Sequence, residues 1–91
     1  MFEIRQTDEF AKWLKKLKER KTRNLLLERI DRMKRGNTGD VKSVGEGVRE
    51  LRLHIGPGYR VYFVQHGETI IVLLCGGDKG SQDKDIAKAK K

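Results

Sequence analysis

Apolar positions recur in this chain with two different periods, and the change of period divides it. At the start, Phe2 and Ile4 alternate with Glu3 and Arg5, which predicts a strand over Phe2–Gln6. Phe10, Trp13, Leu14 and Leu17 then recur at i, i+3, i+4 and i+7, one stripe of a helix. Lys12, Lys15, Lys16 and Lys18 fall on its other side. Thr7 suits the N-cap, and Asp8 and Glu9 place negative charge where the helix dipole favours it. This helix is predicted to end near Arg20 and a second to begin near Thr22. The second buries Leu26, Ile30 and Met33, is flanked by Leu25 and Leu27, and stops at Gly36. So short a link predicts an antiparallel helical hairpin. Trp13 and Met33 are read as core residues, not as the lining of a ligand pocket.

Beyond the turn cluster Asn37–Asp40 the period becomes two. Strands are predicted over Val41–Val44, Val48–Ile55, Tyr59–His66 and Thr69–Gly76. Turns fall at Gly45–Gly47, at Gly56-Pro57-Gly58 and at His66-Gly67-Glu68. Ile70–Cys75 is apolar on both faces, which predicts a central strand covered on both sides at least in part. Ser81–Lys91 has Ile86 as its sole large apolar residue, so a short, partly frayed helix burying little is expected. Strands gathered after a helical hairpin imply an α+β fold. The N-terminal strand and the hairpin pack on one face of a mainly antiparallel sheet, with a short C-terminal helix.

Size limits what such a chain can hold. It has 91 residues, 36% of them apolar, which is one domain, residues 1–91, burying roughly 60–65% of its unfolded surface. Function is therefore expected on a face or shallow groove. The charge changes the picture further. Lys and Arg number 21 against 13 Asp and Glu, a formal +8, and a basic excess favours polyanionic partners. Cys75 sits in an apolar strand as a buried hydrophobe. The first ten residues have neither the basic nor the apolar region of a signal peptide. The longest apolar run, Ile70–Cys75, is too short to span a bilayer. A cytoplasmic protein without a membrane partner is expected.

Alternation also sorts the charges. If Leu51, Leu53 and Ile55 face the helices, then Glu50, Arg52 and His54 face away. Tyr59, Val61 and Phe63 face inward on the next strand, so Arg60 and Tyr62 share the outer face with Arg52. Two neighbouring guanidiniums repel unless an anion or Glu50 sits between them. Arg also suits phosphate, because its planar fork donates paired hydrogen bonds. A solvated face carrying an Arg–Glu pair is the competing reading. Lys79 follows Gly76-Gly77-Asp78, where glycines let the backbone turn and approach a ligand closely; a plain turn is the alternative. GGDKGS lacks P-loop spacing. No His pair has zinc spacing and the acidic residues form no magnesium cluster, so no cofactor is expected and any catalysis is expected to be metal-free.

The runs ELRLHIGPGYRVYF and LLCGGDKGSQDKDIAKAK resemble the RelE/ParE toxin superfamily, and within it the HigB-like branch of addiction-module killer proteins. The resemblance spans nearly the whole chain. It implies a type II toxin paired with an antitoxin, usually a helix-turn-helix DNA-binding protein. RelE-type members cut mRNA in the ribosomal A site without a metal: the 2′-OH attacks the adjacent phosphate and leaves a 2′,3′-cyclic phosphate. By position, Arg60 matches the arginine of the family's Tyr-Arg step. Arg52 stands at a basic strand position, and Lys79 near the basic residue after the last core strand. Glu50 and His54 occupy neighbouring basic positions, where Glu50 departs from the pattern; either could move protons. RelE also uses a tyrosine near its C-terminus, and this chain has none after Tyr62. The resemblance leaves two alternatives: a ParE-like toxin that inhibits DNA gyrase without cutting RNA, and a non-toxic RNA-binding domain.

Overall fold

A computed structural model describes residues 1–91. The elements run β1 (Glu3–Gln6), α1 (Asp8–Lys16), α2 (Arg20–Lys34), β2 (Val41–Gly45), β3 (Val48–Leu53), β4 (Tyr59–His66) and β5 (Ile70–Gly77). A single 3₁₀ turn (Lys79–Ser81) then leads into α3 (Gln82–Ala89). The α+β order matches the sequence expectation. The first helix stops at Lys16, short of Arg20, because Leu17 is already extended. The second accordingly starts at Arg20, ahead of Thr22.

The five strands form one sheet in the order β1-β5-β4-β3-β2. β1 pairs parallel with β5 and the other pairs are antiparallel. Thr7 joins strand to helix. Its hydroxyl accepts the Phe10 N–H as an N-cap and donates to the Leu74 carbonyl, 2.5 Å away. α1 is therefore anchored directly on β5.

One irregularity decides what each face carries. Tyr62 pairs with Cys75, but Phe63 pairs with Leu73, so Leu74 is an extra residue in β5. Such a bulge resets the alternation of side chains. Ile71 and Leu73 join Leu51, Leu53, Val61 and Phe63 under Phe10, Leu26, Ile30 and Met33 of the two N-terminal helices. Cys75 instead joins Val48 and Tyr62 on the opposite face, beneath Ile86 and Ala89 of α3.

The tail departs from expectation. It was expected to bury little, yet α3 covers part of the second face and Asp85 within it is buried. Counting apolar residues misses this because much of the anchoring is polar. Asp78 and Ser81 form a reciprocal cap, and the Ser81 hydroxyl donates to Asp85 Oδ2 at 2.5 Å. The two glycines also serve a purpose other than ligand approach. A Cβ on Gly76 would lie 2.3 Å from the Trp13 ring, and one on Gly77 would lie 1.8 Å from Asp85 Oδ2. Their missing side chains admit Trp13 on one face and α3 on the other.

Candidate functional site

The second face of the sheet is built from two transverse rows. In one, Arg52 stands directly opposite Arg60, and Arg60 opposite Gly77. In the other, Lys42, Glu50, Tyr62 and Cys75 follow one another across β2 to β5. Parity thus puts Arg52 and Arg60 together as expected. Side chains directly opposite on neighbouring strands lie about 5 Å apart at Cβ, where like charges destabilise the pair.

Each guanidinium is offset by its own carboxylate. Arg60 lies 3.6 Å from Glu50 through Nε, and its Nη1 donates to the Gly58 carbonyl at 2.7 Å. Arg52 donates to Asp40 Oδ1 at 3.1 Å, and the Asp40 carbonyl accepts the Arg52 N–H. Glu50 therefore does not sit between the two arginines; it belongs to Arg60. The competing reading, a solvated face with an Arg–Glu pair, holds only in part: the pair is there but is not solvated. Arg60 is 9% exposed and Glu50 1% exposed, because α3 roofs this end of the sheet.

Glu50 is the centre of a buried network. Tyr62 donates to its Oε2 at 3.0 Å, and the Gln82 side chain of α3 donates to the same atom at 2.9 Å. Burial, then the hydrogen bond to the Glu50 carboxylate, pushes the Tyr62 hydroxyl far above the usual phenol range. Tyr62 is thus a fixed neutral donor. Fully enclosed, Glu50 is placed to hold the Arg60 guanidinium. The neighbouring Cys75 thiol is pushed up to about 11, chiefly by burial, which makes it a poor nucleophile.

His54 and Lys79 lie at the open margin. His54 is exposed, and its Nε2 lies 2.5 Å from Asp40 Oδ2. Asp40 is held below the usual carboxylate range, first by the hydrogen bond with His54 and then by that with Arg52. Lys79 is exposed beside the Gly56-Pro57-Gly58 turn, where its N–H reaches the Pro57 carbonyl at 3.4 Å. A Cβ on Gly58 would lie 3.1 Å from Arg60 Nη1 and 3.5 Å from Lys79 Cβ. Gly58 has φ 79°, so this turn both needs its glycine and brings Lys79 close to Arg60. All five residues singled out from the sequence border one patch, but with different exposure. Arg52, His54 and Lys79 are reachable from solvent, Arg60 sits at the edge of the roof, and Glu50 lies beneath it.

Sequence reasoning missed Asp40, Gln82, Ser81 and Asp85. Asp40 could have been found from the β2–β3 hairpin, since Val41 pairs with Leu51 and the preceding residue then falls beside Arg52. Gln82 and Asp85 carried no such signal, because their partners depend on how α3 docks. No three His, Cys, Asp or Glu side chains converge as a metal site. No helix is long and apolar enough to cross a membrane.

One known protein is similar to this chain in sequence, and solved structures are similar to it in fold. An uncharacterized protein of Haemophilus influenzae is 48% identical over 88 residues, covering 97% of this chain and 89% of its own. The crystal structure of YafQ from Escherichia coli superposes with a TM-score of 0.64 at 16% identity, over 90% of this chain and 98% of YafQ. The solution structure of HP0894, a conserved hypothetical protein of Helicobacter pylori, gives 0.55 at 20% identity, over 88% and 97%. The fold, with its five-stranded sheet and short C-terminal helix, is the RelE-like fold of YafQ. Residues 12–91 match the family described as phage derived protein Gp49-like (DUF891), a stretch that includes both arginines and all of α3, and the chain belongs to that family.

Proposed function

We propose that this chain is the toxin of a type II toxin–antitoxin module, of the HigB-like branch, acting in the cytoplasm as a metal-free, ribosome-dependent mRNA endoribonuclease. The RelE-like fold supports the toxin reading. The observation that carries the nuclease reading is the Arg52–Arg60 register: the two arginines stand directly opposite on β3 and β4, with Lys79 beside the adjoining turn. Asp40 and Glu50 each offset one of these charges, and the pair still gathers cationic donors at one place. An RNA phosphate meets it with paired acceptor oxygens.

The chemistry follows from placement. The 2′-OH attacks the adjacent phosphorus, the bond to the 5′ oxygen breaks, and a 2′,3′-cyclic phosphate and a 5′-OH result. Arg52, Arg60 and Lys79 stabilise the charge that develops on the phosphorane. Their fixed orientation matters, because preorganised donors need no rearrangement as the charge grows. His54, exposed at the margin, moves the proton. Glu50 holds Arg60, with Tyr62 and Gln82 fixing Glu50 in turn. Lysines on the helices add a salt-sensitive attraction to ribosomal RNA. A cognate antitoxin, of helix-turn-helix type, restrains the toxin.

Induction in cells followed by primer extension on mRNA tests the activity. Discrete new 5′ ends and growth arrest are expected. DNA damage without cleavage would replace this reading with gyrase inhibition, and the absence of both would leave an RNA-binding domain without toxicity. Arg60→Ala is a poor choice of inactive variant, because it strands the Glu50 carboxylate in a buried site, which costs roughly 3–5 kcal/mol. Arg52→Ala removes one of the two partners of the partly exposed Asp40, which keeps His54, so it separates chemistry from folding.

A further inference from the structure

Asp40 lies outside the residues that motif and parity single out, yet both of its oxygens are engaged by site residues. Oδ2 meets His54 Nε2 at 2.5 Å and Oδ1 accepts from Arg52 Nη2 at 3.1 Å. We infer that Asp40 is a positioning residue that fixes His54 in the tautomer carrying its proton on Nε2, so that Nδ1 is the atom that exchanges protons with RNA. The catalytic half of this inference rests on the endoribonuclease reading above.

The argument is one of donors and acceptors. An ionised carboxylate can only accept, and Asp40 is held ionised by its two partners. The short contact to Nε2 therefore requires a proton on Nε2. A neutral imidazole has one N–H, so the lone pair is on Nδ1. Arg52 completes the constraint, because a guanidinium only donates and so occupies Oδ1 without competing for His54. Its own backbone N–H ties it to the Asp40 carbonyl at 3.0 Å, which keeps the carboxylate in place from the strand. From the opposite side, Glu28, Arg29 and Arg32 of α2 line a shallow groove shared with His54. Glu28 is paired with Arg32 and Arg29 donates to the Arg52 carbonyl, so Asp40 is the His54 ring's own hydrogen-bond partner.

A sharp consequence follows for Asp40→Asn. Arg52 can only donate, so the amide oxygen turns to Arg52 and the amide NH₂ faces Nε2. Nε2 must then accept, and the proton moves to Nδ1. The variant has nearly unchanged shape and the opposite tautomer. Nitrogen-15 imidazole shifts, recorded on the full chain at a pH where the ring is neutral, read this directly. The expected result is a protonated Nε2 in the unaltered chain, a protonated Nδ1 in Asp40→Asn and a mixture in Asp40→Ala. A protonated Nδ1 or an even mixture in the unaltered chain, or an Asn variant with the same tautomer as the parent, overturns the assignment. Cleavage of mRNA by Asp40→Asn should fall by about 100-fold or more, as expected when a proton-transfer group presents the wrong atom. Full cleavage with an inverted tautomer would overturn the catalytic half. If the unaltered chain cuts no RNA, the endoribonuclease reading fails, while the shifts still decide the Asp40–His54 pairing.

Discussion

Toward α1 and α2, the sheet presents Leu51, Leu53, Val61, Phe63, Ile71 and Leu73 to Phe10, Leu26, Ile30 and Met33. Toward α3, it presents Val48, Tyr62 and Cys75 together with Glu50 and Arg60. The first face is a conventional apolar core, in which burial of hydrocarbon supplies the stabilisation. The second hides a carboxylate, a guanidinium and a phenol under a short helix. Buried charges of this kind cost several kcal/mol each to desolvate and repay it only with good partners. The contrast separates holding the fold from holding the site. The face under α1 and α2 is closed by hydrocarbon, whereas the α3 face also buries polar groups that hold Arg60.

If that division is right, substitutions on the two faces should differ in kind. Phe63→Ala, on the side of α1 and α2, should have the largest effect on stability, about 3–5 kcal/mol in chemical denaturation. Gly77→Ala should cost about 1–3 kcal/mol and act differently, because its new Cβ meets the Asp85 carboxylate of α3. Hydrogen exchange should show it loosening α3 while α1 and α2 stay protected. Equal loosening of both layers would dissolve the distinction.

Tyr62→Phe should be the mildest, at about 1 kcal/mol for one lost hydrogen bond. It carries a pH signature as well. The folded Tyr62 hydroxyl is held above its unfolded value of about 10, so its contribution is fully present below pH ~10 and is lost as pH rises further. Tyr62→Phe should therefore flatten the loss of stability in alkali. An unchanged alkaline slope would mean that Tyr62 is not the buried donor described.

Much of this architecture could be read from the sequence, for identifiable reasons. The helices and strands follow from two hydrophobic periods, and the Arg52–Arg60 pairing follows from parity across a short turn. What escaped were long-range choices. The bulge at Leu74, which turns Cys75 and Gly77 toward α3, leaves no mark in a run that is apolar on both faces. The docking of α3 depends on Gln82 reaching Glu50 across 32 residues, and no periodicity reports such a contact. Gly76-Gly77 looked suited to a ligand because glycine signals close approach, without saying what approaches. Here it is Trp13 and Asp85.

The central claim is that the paired arginines grip a scissile phosphate. The most direct measurement compares mRNA 5′ ends after induction of the unaltered chain and of Arg52→Ala, with the melting temperature of each purified protein as control. The account predicts that the discrete ends fall by at least about 100-fold, the usual effect of removing one preorganised donor, while the melting temperature moves by no more than a few degrees. Undiminished cleavage by a folded Arg52→Ala would contradict it.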